Sequence, residues 1–182
     1  MSSRTCTGGK LLSVRASEVR HREVLPRLRG LVLDVGCGNN QLLKGWQGRG
    51  WGIDSYAWRG VDVVGDAVRL PFQAQTFDTV VYMACLNHIP DRVAALREAH
   101  RVLRADGQLL ITMIGPVVGW IWHRLPWRQR EEDERGMLPG ETFGLSMAAV
   151  RRYLAEAGFA LCSRRRFGPL GLNNLYLARK QP

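Results

Sequence analysis

The stretch Leu31-Val-Leu-Asp-Val-Gly-Cys-Gly-Asn-Asn40 decides the fold of this chain. Apart from Asp34, residues 31–35 are apolar and include β-branched side chains, which predicts a short buried strand of a parallel sheet. Gly36 and Gly38 follow at once, and the residues after them have helical spacing. A strand, a glycine turn and a helix in this order are typical of a doubly wound α/β fold that binds a nucleotide-like ligand at the turn.

Asp34 indicates which kind of ligand this turn would accept. A dinucleotide would place its pyrophosphate here, and a nearby carboxylate would repel it. The dinucleotide fingerprint G-x-G-x-x-G also fails, because Gln41 occupies the position of the third glycine. Both observations favour a ligand with a positively charged end. A purely structural turn is an equally good interpretation of this stretch taken alone.

The composition is that of an ordinary globular protein. The chain has 182 residues, of which 46% are hydrophobic and 23% charged, so we expect one domain with a sizeable core over residues 1–182. The formal net charge of +10 is compatible with nucleic acid or anionic lipid as a partner. Because the arginines are scattered along the chain, a solvated basic surface is the favoured interpretation.

The cysteines predict neither a zinc site nor a disulfide framework. Cys6, Cys37, Cys85 and Cys162 lie far apart and form no C-x-x-C pair. We therefore expect no metal and a reducing, cytoplasmic location. The N-terminus shows no apolar run of signal-peptide length, and the longest apolar stretch elsewhere is too short to span a bilayer.

A second acid follows the second predicted strand. Trp51 to Asp54 reads as a short strand that ends in a carboxylate. An acid at this point can accept hydrogen bonds from both hydroxyls of a ribose, which neutral side chains cannot match. The alternative is a turn-forming aspartate before Ser55.

The rest of the chain continues the alternation of strands and helices. Val61–Val64 predicts a third strand, although it follows Asp54 too soon for a crossover helix. The remaining predicted strands are Thr79–Ala84, Gln108–Ile114, Phe159–Phe167 and Leu172–Lys180. The predicted helices are Lys10–Arg29, Gln41–Gln47, one that Asp91 caps and Asp106-Gly107 ends, and one that Ser146 caps and Gly158 ends.

Taken together, these features resemble the class I S-adenosylmethionine-dependent methyltransferases, and most of all their small-molecule, quinone-biosynthesis-like branch. Five features stand in that family's order: Asp34-x-Gly36-x-Gly38, Asp54, Gly65-Asp66, the Phe77-Asp78 strand, and Arg101-Val102-Leu103 before a strand. The resemblance implies a doubly wound, mostly parallel seven-stranded sheet with a closing antiparallel strand pair, and S-adenosylmethionine as the cofactor. The chain departs from the family at Asn40, where many members have glycine, and in the missing helix after Asp54.

The resemblance also implies which residues bind the cofactor. Asp54 would take the ribose hydroxyls, and Asp66 would accept the exocyclic amine of adenine. The full implied set is Asp34, Gly36, Cys37, Gly38, Asn40, Asp54, Ser55, Gly65, Asp66, Ala67, Met83 and Ala84.

His88 is the candidate catalytic base, because it follows the fourth strand where the reactive methyl group should lie. The alternative is a packed or capping histidine. His123 is the second candidate, while His21 and His100 read as residues on helix surfaces.

Residues 115–143 read as an insertion that covers the acceptor site. The segment contains Trp120, Trp122 and Trp127. As a hypothesis, these tryptophans form the roof of a pocket for hydrophobic acceptors and contact a membrane surface peripherally. The alternative is that they belong to the ordinary core.

These observations predict methyl transfer to a small, hydrophobic or lipid-related acceptor. One alternative is an RNA methyltransferase or RNA-binding module, which the positive charge favours. Against it, Met83-Ala84-Cys85-Leu86 stands after the fourth strand, where amino-methylating enzymes carry Asn/Asp-Pro-Pro-Tyr/Phe. The other alternative is a protein that binds S-adenosylmethionine without catalysis.

Overall fold

The computed structural model describes residues 17–116, 120 and 139–181. Its strands are β1 (Val32–Val35), β2 (Gly50–Asp54), β3 (Val63–Val64), β4 (Phe77–Met83), β5 (Leu103–Ile114), β6 (Phe159–Phe167) and β7 (Asn173–Lys180). The helices that bear on the fold are α1 (17–24), α2 (Gln41–Gly45), α3 (Arg92–Val102) and α4 (Met147–Glu156).

The strands form one seven-stranded sheet in the order β3-β2-β1-β4-β5-β7-β6. Strands β1 to β5 pair in parallel, and β7 runs antiparallel to both β5 and β6. The prediction of a mostly parallel sheet closed by an antiparallel pair is confirmed. Since β1 lies between β2 and β4, its C-terminal turn is at the centre of the sheet edge where ligands bind in such folds.

Helices cover both faces of the sheet, so successive residues of a strand enter different cores. Leu33 and Val35 of β1 belong to the larger core, which includes Leu96 of α3 and Leu154 of α4. Val32 belongs to the smaller core, beside Val24, Leu28 and Leu42. This double burial explains why the sequence of β1 is nearly continuous in apolar residues.

The connection from β2 to β3 contains no helix, as the sequence indicated, and β3 is reduced to two residues. Asp62 holds this short connection in place. Its Oδ2 accepts hydrogen bonds from the backbone N–H of Gly52 at 2.7 Å and from Asn40 Nδ2 at 2.9 Å. A single carboxylate therefore ties the connection to both β2 and the glycine turn.

Two helix caps are confirmed, and the predicted end of the helix that Asp91 caps was wrong. Asp91 accepts a hydrogen bond from Ala94 N at 2.9 Å, and Ser146 accepts one from Ala149 N at 3.1 Å. Helix α3, however, ends at Val102 rather than at Asp106-Gly107, because Leu103 already pairs with Phe77 of β4 and packs in the core.

His21 and His100, which were predicted on helix surfaces, are only partly exposed there. Both imidazoles are half-buried, and burial lowers the pKa of each. The ring of His100 packs edge-to-face on Phe159, with 5.2 Å between the ring centroids. The neighbouring strand β6 supplies the ring that partly covers His100.

Within the described residues there is no helix that is both long enough and apolar enough to cross a membrane.

The hydroxyl of Tyr82 offers a test of the packing between β4 and α3. It is fully buried and donates to the carbonyl of Ala95 at 2.9 Å. We expect Tyr82→Phe to lower the free energy of unfolding by about 1 kcal/mol, because one buried hydrogen bond is lost. Urea unfolding measures the change. Tyr56→Phe, at a residue that is 56% exposed, is the control and should change stability by less than about 0.5 kcal/mol. Equal effects would contradict this role.

Candidate active site

A cavity of about 580 Å³ opens at the C-terminal edge of β1, β2 and β4. The residues that line it come from the ends of these strands and from the loops that follow them. They are Val35, Gly36, Ile53, Asp54, Ser55, Val64, Gly65, Asp66, Ala67, Cys85, His88, Ile89 and Pro90. Of the implied cofactor residues, this cavity brings together Gly36, Asp54, Ser55, Gly65, Asp66 and Ala67, with His88 beside them.

The two glycines of the turn serve different purposes. Both adopt positive φ, +71° at Gly36 and +52° at Gly38. A Cβ on Gly36 would lie 2.6 Å from Cβ of Cys85, so this glycine lets β1 approach β4. A Cβ on Gly38 would meet no atom within 4 Å. Only Gly38 therefore offers open space for a ligand to approach the backbone closely.

Asp54 links the turn to the end of β2. Its Oδ2 accepts from Gly38 N at 2.9 Å, and its Oδ1 accepts from Tyr56 N at 3.0 Å. The second contact is the turn-forming role that the sequence left open. A carboxylate oxygen can accept two hydrogen bonds, so each oxygen retains capacity toward the cavity.

Asp34 is entirely buried in β1. Among the described residues, neither of its carboxylate oxygens has a hydrogen-bond partner. Burial, with a smaller contribution from the charge of Asp54, raises the pKa of Asp34 to about 8. Since it exposes no surface, Asp34 can influence a ligand in the cavity through its charge and not by direct contact.

The thiols near the turn are not activated nucleophiles. Burial, reinforced by Asp34, raises the pKa of Cys37 to about 12, and burial also raises that of Cys85 well above its usual value. The thiol of Cys85 donates to the carbonyl of Val35 at 2.8 Å. Nucleophilic cysteines need the opposite shift, so these side chains serve packing.

The cavity lining does not include the remaining implied residues, which are Asp34, Cys37, Gly38, Asn40, Met83 and Ala84. Asn40 adopts the left-handed conformation expected for a glycine substitute, with φ of 56°. Its side chain donates to the carbonyl of Gly60 and to Asp62. Met83 packs against the smaller core, and Ala84 has a φ of 57°.

His88 has a partner that the sequence did not reveal. Its Nδ1 lies 3.3 Å from Oε2 of Glu141, whose side chain is only 1% exposed. Glu141 follows the acidic run 131–134 in a segment without helical or strand periodicity. No local signal distinguishes it from those acids, because the contact joins residues far apart in the chain.

Part of the tryptophan segment lies outside the described residues. His123, Trp122 and Trp127 belong to that part. Trp120 is described and is 46% exposed. Among the described residues, no group of histidine, cysteine and acidic side chains is arranged to hold a metal ion.

Residues 33–111 match the family described as Methyltransferase domain. This match covers less than half of the chain and shows that residues 33–111 are similar to methyltransferase domains. The matched residues run from β1 into β5 and include every residue that lines the cavity. The family resemblance drawn from the sequence is confirmed, and methyltransferases are the expected class of enzyme.

Two curated relatives name different acceptors. The rice 2-methyl-6-phytyl-1,4-hydroquinone methyltransferase 2, chloroplastic, is 35% identical over 115 residues, which cover 62% of this chain and 29% of that protein. The mouse probable tRNA methyltransferase 9B is 30% identical over 121 residues, covering 60% of this chain and 25% of that protein. The chain spans less than a third of the length of either relative.

Solved structures share the fold over nearly the whole chain. A Haloferax volcanii complex of the Trm112 methyltransferase activator with a methyltransferase has a TM-score of 0.73 at 17% identity, covering 97% of this chain and 96% of the other. The Burkholderia thailandensis 1,6-didemethyltoxoflavin-N1-methyltransferase, with bound 1,6-didemethyltoxoflavin and S-adenosylhomocysteine, has a TM-score of 0.69 at 20% identity, covering 93% and 81%. At these identities the likeness establishes the fold.

The protonation of Asp34 should make stability depend on pH. The folded protein keeps this proton to about pH 8, whereas the unfolded chain loses it near the ordinary pKa of 3.8. Between these values the unfolded state binds fewer protons, so this contribution to the free energy of unfolding falls as pH rises. We expect Asp34→Asn, which resembles the protonated acid, to remove that part of the pH dependence. Urea unfolding at several pH values between 5 and about 8 would measure it.

The matched control is Asp106→Asn, at an exposed carboxylate of β5. It should leave the wild-type pH dependence unchanged. Parallel pH profiles for wild type and Asp34→Asn would show that Asp34 is ionised in the folded protein.

Proposed function

We propose that this chain binds S-adenosylmethionine in the cavity and transfers its methyl group to a small, hydrophobic acceptor. The observation that carries the proposal is the charge of the cavity wall. Asp54 and Asp66 line the cavity, Asp34 is buried in the adjoining strand, and no lysine or arginine is among the described residues of the lining. Such a wall repels phosphates and favours a ligand with an ammonium, a sulfonium and several hydrogen-bond donors.

The residues present fit such a cofactor. Each oxygen of Asp54 can accept one ribose hydroxyl in addition to its backbone N–H. Asp66 accepts a hydrogen bond from Val68 N at 3.0 Å and keeps capacity for the exocyclic amine of adenine. The open space at Gly38 allows close approach to the backbone. Asp34, which keeps its proton to about pH 8 in the protein alone, would be favoured in its ionised form by a cationic ligand end nearby.

When bound, the cofactor supplies a methyl group from its sulfonium, and the sulfur keeps the bonding electron pair and becomes a neutral thioether. The protein then has to align the acceptor, exclude water and receive any proton that the acceptor loses. Val35, Ile53, Ile89 and Pro90 provide apolar walls. His88, on the same wall, is the proposed base.

The apolar walls support a hydrophobic acceptor, and the rice relative is named for a phytyl-substituted hydroquinone. We extend the proposal to residues 115–143 as the cover of the acceptor side. We also propose that Trp120, Trp122 and Trp127 contact a membrane surface. The proposal further includes a single domain and a cytoplasmic location.

RNA methylation is the second candidate. The net charge of +10 and the similarity to the mouse protein named as a probable tRNA methyltransferase favour it. Binding of the cofactor without catalysis is the third.

Transfer of labelled methyl groups separates these candidates. The purified chain is incubated with radiolabelled S-adenosylmethionine and with RNA, protein and organic-extractable fractions of a cell lysate. We expect label in the organic-extractable pool. Label in RNA alone would replace the proposal by the second candidate. Cofactor binding without label in any pool would replace it by the third.

Asp54 provides the test of the cofactor site. We expect Asp54→Ala to weaken S-adenosylmethionine binding by roughly 1.5–3 kcal/mol, because charged hydrogen bonds are lost. Asp54→Asn, which keeps one acceptor oxygen, should bind with intermediate affinity. Isothermal titration calorimetry gives both values, and Asp106→Asn should bind like wild type. Wild-type affinity in Asp54→Ala would remove the ribose assignment.

A further inference from the structure

We infer that Glu141 is a positioning residue that fixes His88 in the tautomer protonated on Nδ1, so that Nε2 is the atom that receives the acceptor's proton. This inference rests on the proposed function and narrows the substrate class. The acceptor would be an atom that loses a proton on methylation, such as a phenolic or enolic oxygen, a nitrogen or an acidic carbon.

The contact between the two side chains carries the inference. His88 Nδ1 lies 3.3 Å from Glu141 Oε2. An ionised carboxylate can only accept hydrogen bonds, so the ring nitrogen that faces it must carry the hydrogen. The neutral imidazole then has its lone pair on Nε2. Because His88 lines the cavity and its side chain is 30% exposed, a base at this position is accessible to an acceptor.

The backbone around Glu141 is fixed to the backbone around His88 from both sides. Asn87 Nδ2 donates to the carbonyl of Thr142 at 2.9 Å, and Thr142 N donates to the carbonyl of Asn87 at 3.0 Å. These reciprocal bonds join the residue before His88 to the residue after Glu141. The two side chains therefore meet as a consequence of how their neighbours pair.

Arg92 also holds the backbone beside His88 close to the backbone beside Glu141. Its guanidinium is buried and donates to the carbonyls of Asn87 at 3.0 Å and of Gly140 at 2.7 Å. One rigid group thus holds the residue before His88 and the residue before Glu141. Such support keeps a catalytic side chain in the geometry that proton transfer requires.

The proton step balances within the residues named. The proton leaves the acceptor for Nε2 of His88, and its bonding pair remains on the acceptor atom that takes the methyl group. The imidazolium that results keeps its Nδ1 hydrogen toward Glu141, whose negative charge compensates it. Asp54 and Asp66 line the same cavity as His88, and Arg92 donates to the carbonyl of the preceding residue, Asn87.

Nitrogen NMR of the histidine rings tests the inference without any substrate. In protein labelled with ¹⁵N-histidine, at a pH where His88 is neutral, we expect Nδ1 of His88 to appear protonated and Nε2 unprotonated. Free histidine in water prefers the opposite tautomer. His88→Gln identifies the signals that belong to His88.

Glu141→Met, of similar shape but without an acceptor, should turn His88 to the Nε2-protonated form. Glu141→Gln, which can accept through its amide oxygen, should retain the wild-type tautomer in part. Glu156→Gln, at an exposed pair with Arg152, is the matched control and should leave the spectrum unchanged. Nε2 protonated in wild type, or an unchanged tautomer in Glu141→Met, would overturn the inference. If Glu141→Met does not fold, the wild-type spectrum alone decides.

Turnover and cofactor binding separate this inference from the proposed function. With an accepting pool identified, His88→Gln should reduce turnover by roughly 100-fold, and Glu141→Met should reduce it less, with unchanged S-adenosylmethionine affinity in both. A wild type that binds no S-adenosylmethionine contradicts the proposed function. The tautomer of His88 is measured independently of that result. Cofactor binding with the wrong tautomer contradicts only the role of Glu141.

Discussion

A carboxyl group in the middle of the sheet, with no partner among the described residues, constrains the rest of this structure. Asp34 lies on β1, which is buried on both faces, and its pKa is raised to about 8 because water cannot solvate its charge. Burying an ionised carboxylate without a counter-ion is costly. The protein alone therefore favours the protonated form, and a cationic ligand nearby would favour the ionised form.

The groups around Asp34 determine how much negative charge lies at the turn and at the cavity wall. Cys37 and Cys85 remain neutral beside Asp34, so they add no negative charge to the turn. Asp54 accepts hydrogen bonds from two backbone N–H groups, which fix its carboxylate at the cavity wall. The result is a wall whose fixed charge is negative and whose remaining surface is mainly apolar.

The strand and turn beside the cavity could be predicted from sequence because local rules determine their backbone. Buried strands, positive φ at glycine and acids at strand ends all leave signals within a few residues, and β1 with its turn shows each of them. The contact between Glu141 and His88 could not be predicted, because it depends on hydrogen bonds that Asn87 and Arg92 donate to Thr142 and Gly140, the neighbours of Glu141. The early start of β5 was missed for the same reason, since Leu103 is held by Phe77 of another strand.

The location of the positive charge bears on the choice between acceptors. Arg164, Arg165 and Arg166 are exposed on β6, which is the edge strand of the sheet, and none of them lines the cavity. Charged side chains on an edge strand prevent it from pairing with another sheet. Arg164 is also engaged with Asn174, and Arg165 lies 3.4 Å from Glu23. These arginines thus have structural reasons to be present, so the net charge of +10 carries less weight for RNA than the carboxylates of the cavity carry for a cationic cofactor.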